Sequence, residues 1–263
     1  MEWRLISGMR PLLQYEPLAA QGVVCAITTR TAADTEGNYS FHVTRDVASV
    51  RANRRAACQT LGFDICDLIV PQMTHGANVA RVDASYRGHG DSADSNLLPD
   101  CDALITNTPG ILLGITVADC LPVFLYDPVR QAMGLVHAGW RGTAAGIVLR
   151  TLQCLRREFH CHVRDIHVVI GPGIGGEAYE VDMPVRAAFP EDLVRVPGVF
   201  RSARPGHWRL DLTAAVCYQL HREGVPGTRI TVCPMKTSTH PEWFYSHRAV
   251  PGCPRMLALL GRR

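Results

Sequence analysis

The chain has 263 residues, 47% of them hydrophobic and 19% charged, and carries a formal net charge of +3. That length gives one large domain or two small ones with an ample core, and so small a charge excludes an electrostatic case for nucleic acid or an anionic membrane as partner. No apolar run reaches the roughly 18 residues that a membrane helix needs, and Met1-Glu2-Trp3-Arg4 opens no secretory leader, so the ten cysteines point to a reduced cytoplasmic protein rather than a disulfide framework.

In chain order, the first helix signal follows Thr44-Arg45-Asp46. Val47, Val50, Arg54 (by its stem), Ala57 and Leu61 recur at three- and four-residue spacing, and Gly62 ends the pattern. Leu68 to Val70 and Val79 to Val82 read as strands, and the polar stretch Ser85 to Asp100 reads as a long loop. Three apolar runs follow closely: Ile111 to Val117, Leu121 to Tyr126 and Met133 to Val136. Pro122 stands at the entrance of the second, where proline is tolerated.

Gly139 to Gly142 opens a helix whose apolar face is Ile147, Val148, Leu152 and Leu155. Arg156, Arg157 and His160 suit the carboxyl end of its dipole. Ile166 to Ile170 is a buried strand, Asp182 and Pro184 start a short helix, and Asp211 starts another that runs to Arg222 before Gly224 stops it. Arg229 to Cys233 reads as a late strand and Arg255 to Leu260 as a final helix. Interleaved helices and strands, with short connections near residues 111 to 136 that demand antiparallel pairs, give one mixed α/β domain over residues 1–263.

Chemistry concentrates in three stretches: Thr74-His75-Gly76, Ala118-Asp119-Cys120, and Val136-His137-Ala138-Gly139-Trp140-Arg141-Gly142. Two imidazoles and one thiolate make a three-ligand zinc set whose fourth tetrahedral position stays free, the mark of catalytic rather than structural zinc. Alone, His75 reads as a loop histidine and Cys120 as a small buried hydrophobe. Asp119 changes that balance, because a carboxylate between two buried strands needs a partner or a role. His137 ends an apolar strand beside small residues that let another group approach. The helix start after it is an anion site in waiting, to which Arg141 adds a bidentate contact.

Other signals carry less. Gly171-Pro172-Gly173-Ile174-Gly175-Gly176 formally satisfies the dinucleotide fingerprint, but extended chain follows it where that fold needs a long helix. His160-Cys161-His162 with His167 reads as a solvated helix end rather than a metal cluster. Lys236, the single lysine, has no neighbour that argues for a role.

Together these stretches resemble the laccase-domain family, also called the polyphenol-oxidase or peptidoglycan-editing-factor family. Thr28-Thr29-Arg30, Asn53-Arg54, Asp102-Ala103-Leu104-Ile105-Thr106, Ile170-Gly171-Pro172, Tyr179-Glu180-Val181, Asp211-Leu212 and Ser246-His247-Arg248 extend the likeness to most of the chain. The resemblance implies a layered α/β/β/α sandwich of mixed sheets, with His75, Cys120 and His137 as zinc ligands. It also implies a zinc-dependent purine nucleoside phosphorylase with adenosine deaminase activity. Three departures stand out: Glu177-Ala178 replaces a common cysteine pair, Lys236-Thr237 a common Cys-Thr, and the segment around Ser40-Phe41-His42-Val43 lacks the usual Ser-Leu-Asn-Leu.

Fewer thiols weaken a multi-copper reading, since soft thiolates hold Cu(I). On this reading Arg30, Arg141 and Arg248 bind phosphate, and Asp119 orients a ligand or transfers a proton to the purine. The expected partners are a purine nucleoside and phosphate, in a monomer or small homo-oligomer. The rivals are a copper-dependent phenol oxidase and an amidase that edits cytoplasmic peptidoglycan precursors, with Cys120 as nucleophile activated by His137. A third is a partner protein that keeps zinc for structure alone.

Overall fold

Two six-stranded sheets stacked face to face carry the molecule. The computed structural model describes residues 2–8, 10–30, 37–44, 46–91 and 98–263. Met1 of the N-terminal stretch, Arg45 of the first helix signal and residues 92–97 of the expected loop lie outside the described residues.

The first sheet orders β1 (Trp3–Ile6), β2 (Leu12–Tyr15), β3 (Val23–Thr28), β15 (Met256–Arg262), β7 (Ile111–Val117) and β4 (Leu68–Ile69). The second orders β14 (Ile230–Val232), β10 (His167–Ile170), β8 (Leu121–Asp127), β9 (Ala132–Ala138), β6 (Ala103–Thr106) and β5 (Val79–Arg81). A small third sheet, β11 (Glu180–Asp182), β13 (His207–Leu210) and β12 (Phe200–Arg204), stands beside them.

The side-chain alternation of strands assigns each residue to a layer. In β9, Met133 and Leu135 enter the apolar cluster between the sheets, while Ala132, Val136 and Ala138 enter the one beneath the helices. That lower cluster takes in α4 (Ile147–Phe159) and α7 (Leu212–Arg222) through Val148, Leu152, Leu155, Val216 and Leu220. On the opposite side α2 (Val47–Thr60) covers the first sheet with Ala57 and Cys58 against Leu112 and Leu257. Both faces of β7, β8 and β9 are therefore covered, and every residue in them is buried. The expected α/β/β/α layering of mixed sheets is what the chain adopts.

Local signals explain most elements. Asp46 accepts from the Ser49 N–H to cap α2, and Asp211 from the Ala214 N–H to cap α7. Asp182 does the same for the short α5 (Met183–Ala187). Three expectations need correction. Arg255 to Leu260 is no helix: residues 256–262 form β15, hydrogen-bonded on both sides to β3 and β7. The helix opened by Gly139 is two, α3 (Trp140–Ala144) and α4, broken where Gly146 turns left-handed at φ +76°. The runs before and after Ala118-Asp119-Cys120 do not pair as a hairpin; they belong to different sheets. The remaining short helices are α1 (Glu16–Ala19) and α6 (Glu191–Val194). No described helix is long and apolar enough to cross a membrane.

Candidate metal centre

Two crossings between the sheets build the site. β4 and β7 lie parallel, Leu68 opposite Leu112, so both point to the same end of the first sheet. From that end each chain passes to the second sheet, one through residues 70–78 into β5, the other through Ala118-Asp119-Cys120 into β8. His75 on the first crossing and Asp119 on the second take left-handed backbone, φ +60° and +86°. That conformation is uncommon for any residue with a side chain, though His and Asp adopt it more than most. His137 arrives from β9, opposite Pro122 of β8. The donor atoms of His75, Cys120 and His137 consequently lie within 4.8 Å of one another, with the two imidazoles edge to face at 4.9 Å between ring centres.

Asp102, fully buried, fixes this arrangement. Its Oδ1 stands 2.8 Å from Nδ1 of His137, and its oxygens also accept from the backbone N–H of Thr74 (3.1 Å), His75 (2.9 Å) and Gly76 (2.7 Å). Burial raises the Asp102 carboxyl, yet the His137 hydrogen bond and charge with the Gly76 and Thr74 N–H groups hold it below the usual range. An ionised carboxylate only accepts, so Nδ1–H donates to it and Nε2 of His137 turns to the donor set. One acidic side chain thus orients both histidine-bearing segments.

Burial disfavours the Cys120 thiolate, but His137 and His75 outweigh it and bring the thiol down to about 6. Burial likewise disfavours the His137 imidazolium, and Cys120 and Asp102 overcome that to push it up to about 10. A thiolate facing a protonated imidazole holds a proton where a cation would bind, and metal binding releases it. Gly139 matters here: a Cβ on it would stand 2.9 Å from Sγ of Cys120 and 3.4 Å from Cδ2 of His75. Only glycine leaves room. The donor chemistry, the spacing and the oriented imidazole fit one metal ion held by three protein ligands.

The three donors line a cavity of about 500 Å³ with Met73, Trp140, Ile174 and Tyr179. Arg141 and Arg248 reach it, as expected; so do Arg255, His42 and His247, which pattern reading did not single out as binding residues. Arg248 lies over the Tyr179 ring at 4.9 Å and donates to the Glu180 carbonyl. Tyr179 is a neutral phenol, pushed up to about 12 first by burial and then by Cys120.

Asp119 also lines the cavity, but its carboxylate accepts from Thr237 Oγ1 (2.5 Å), Ser246 Oγ (3.1 Å) and the Arg248 N–H (2.7 Å). Arg30 is not among the lining residues; it donates to the Pro241 carbonyl and lies over Tyr245. The anion site drawn at the start of a long helix is corrected too, because α3 has five residues and little dipole to offer.

Among the described residues no other histidine, cysteine and carboxylate group has metal-ligating spacing, so the His160 to His167 stretch stays a helix end. Strand β11, not a long helix, follows the Gly171 to Gly176 loop. Lys236, unassigned by its sequence neighbours, pairs with Glu177 at 2.9 Å. Asp102 was visible only as part of a motif. Its signal is a carboxylate immediately before a fully buried strand, which demands a partner.

Fold and site together define a class: layered mixed-sheet proteins with an open two-histidine, one-cysteine donor set at the seam of their sheets. Residues 24–263 match the family model described as multi-copper polyphenol oxidoreductase laccase, and the chain belongs to that family. Among its relatives is the purine nucleoside phosphorylase YlmD of Geobacillus stearothermophilus, 36% identical over 92% of this chain and 91% of the relative. A purine nucleoside phosphorylase of Bacteroides thetaiotaomicron is 33% identical over 92% and 93%. The crystal structure of the Geobacillus YlmD superposes with a TM-score of 0.91 over 100% of this chain and 99% of that one. The Bacillus licheniformis hypothetical protein YfiH gives 0.91 over 99% of each, at 30% identity.

Proposed function

We propose that the protein is a zinc-dependent purine nucleoside phosphorylase with an accompanying adenosine deaminase activity. The observation that carries this reading is the convergence of the His75, Cys120 and His137 donors within 4.8 Å in a cavity that also receives Arg141 and Arg248. Two relatives named as purine nucleoside phosphorylases support the substrate class. Phosphorolysis breaks the C1′–N9 bond and forms a C1′–O bond to phosphate, while the electron pair leaves with the purine, which takes up a proton. Arg141 and Arg248 hold the phosphate against C1′ by paired N–H donors. Trp140 and Tyr179 offer apolar faces for the base. His75, Cys120 and His137 would hold the zinc, which would supply Lewis acidity and bring the pKa of water to roughly 7, the chemistry that deamination of adenosine requires.

Copper-dependent phenol oxidation follows from the family's description, but among the described residues a single three-donor group has metal-ligating spacing, enough for one ion where a multi-copper oxidase holds several. A cysteine-nucleophile amidase is favoured by one observation, the thiolate-forming Cys120 beside His137. Metal-depleted protein, with and without added zinc, separates these readings when given inosine or adenosine with phosphate. Zinc-restored release of hypoxanthine or adenine with ribose 1-phosphate is the expected result. Full activity without metal, with a covalent adduct on Cys120 by intact mass, would overturn it.

A further inference from the structure

Residues 236–248 form a strap of successive turns, with the His240 N–H donating to the Lys236 carbonyl and the Phe244 N–H to the His240 carbonyl. Its far end brings His247 and Arg248 to the cavity, so what holds that end bears on where Arg248 stands. Its near end is tied to the glycine loop: the Thr237 N–H donates to the Gly173 carbonyl at 2.9 Å, while Lys236 and Ser238 bond the Glu177 carboxylate at 2.9 and 3.0 Å. Its middle receives Arg30, whose N–H donates to the Trp243 carbonyl at 2.7 Å and whose guanidinium donates to Pro241. At its far end the Ser246 hydroxyl and the Arg248 backbone N–H both donate to Asp119, while Arg255 reaches His247. The Arg248 guanidinium lies over Tyr179 and donates to the Glu180 carbonyl. The Asp119 carboxylate bridges both ends of the strap, from Thr237, which is 1% exposed, to the backbone N–H of Arg248.

Asp119 is itself held rigidly. Its carbonyl accepts from the Ile174 N–H at 2.9 Å, and its φ of +86° is a backbone state that persists only where surroundings enforce it. With three of about four acceptor positions taken by fixed donors, the carboxylate is built to hold chain.

Resting on the phosphorylase reading above, we propose that Asp119 is a positioning residue. It hangs residues 237–248 on the loop that carries Cys120 and so sets Arg248, which lines both the main cavity and an adjoining one of about 350 Å³, at the height where phosphate is bound. Asp119 acts on phosphate through Arg248, not by moving a proton.

The two roles part at asparagine. A flipped amide at 119 accepts from the Arg248 N–H and the Ser246 hydroxyl and donates to the Thr237 hydroxyl, which takes either part. Asparagine also tolerates positive φ. It cannot donate a carboxyl proton.

The experiment titrates zinc-loaded protein with inorganic phosphate and follows amide hydrogen exchange over residues 246–249. Asp119→Gly, which keeps the backbone state open, is expected to weaken phosphate binding about tenfold to a hundredfold, the loss of one charge-assisted hydrogen bond. It should also speed exchange at Arg248 and retain one zinc per chain. Asp119→Asn is expected to restore both readouts to within about threefold. In an Arg248→Ala background Asp119→Gly should cost nothing further, since the two act as one unit.

Asparagine as damaging to kcat as glycine, with phosphate affinity intact in both, would overturn the proposal in favour of proton transfer. Unchanged exchange in Asp119→Gly would overturn it as well. If the glycine variant does not fold, Thr237→Val with Ser246→Ala removes two of the three bonds and leaves the Arg248 N–H, and must give a smaller phosphate loss and faster exchange in the same direction. If the unaltered protein binds no phosphate, the phosphorylase reading falls, and exchange at 246–249 still decides the anchor.

Discussion

His137 is bound at both ring nitrogens' ends by charge: Asp102 at Nδ1, Cys120 across from Nε2. Asp102→Asn puts an amide N–H against the N–H groups of residues 74 to 76, leaving buried donors unmatched. We expect a loss of about 1–3 kcal/mol in stability and about 10–100-fold in zinc affinity, read by denaturant unfolding and competitive chelation. The Cys120 thiol, lowered to about 6 by its imidazole neighbours, is thiolate above that pH and thiol below it. Alkylation of Cys120 in metal-free protein should therefore rise with a midpoint near pH 6, whereas buried Cys58, pushed up to about 12, stays inert. Zinc should abolish the reaction by occupying the sulfur; labelling with peptide mapping checks both. At this scale the donors were legible because His75, Cys120 and His137 each sit in an unusual local string. Arg30 donates to the Pro241 carbonyl and is not among the cavity's lining residues, a distinction sequence does not draw, because a cation next to a strand end looks the same whether it faces a ligand or a carbonyl.

Helices and strands were legible where one face alone is buried or where a cap residue marks the start, as with Asp46, Asp182 and Asp211. β15 failed that test. Met256-Leu257-Ala258-Leu259-Leu260 consists of helix-favouring residues with no β-branching, and burial of both faces erased the alternation that identifies a strand. Pairing with β3 and β7 overrode propensity. β12 went unread for the opposite reason: Arg201, Ser202, Ala203 and Arg204 are exposed, so no apolar pattern marks them. The turn from β9 into α3 supplies the element-scale prediction. Gly139→Ala drives a methyl to 2.9 Å from the Cys120 sulfur, so the variant should fold yet lose zinc at least tenfold. Far-ultraviolet dichroism with metal analysis checks this, and full zinc occupancy would refute it.

Across the whole molecule the three candidate donors come from the seam itself: His75 and Cys120 lie on chains passing from one sheet to the other, and His137 lies within the second sheet. An ion held by all three would tie the two sheets, and only the folded chain presents the set. At zinc a thousandfold above its dissociation constant the gain is about 4 kcal/mol. For a chain of this size that shifts Tm by roughly 8–16 °C. Calorimetry before and after chelation measures it, and an unchanged Tm would mean the three donors do not hold the ion.

The place of β15 between β3 and β7 has a consequence for how the protein is born. On the ribosome, β3 and β7 emerge long before the strand that must separate them, at about 5–20 residues per second on the order of ten seconds earlier for β7. During that interval the first sheet lacks its middle, and the edges of β3 and β7 stand unpaired and apolar. The crossing that carries Cys120 hangs from one of those edges. A nascent chain thus has all three donors in hand well before it has a floor to set them on, and metal loading belongs after β15 has taken its place. A chain stalled or cut before Met256 should be a client for chaperones rather than a smaller enzyme.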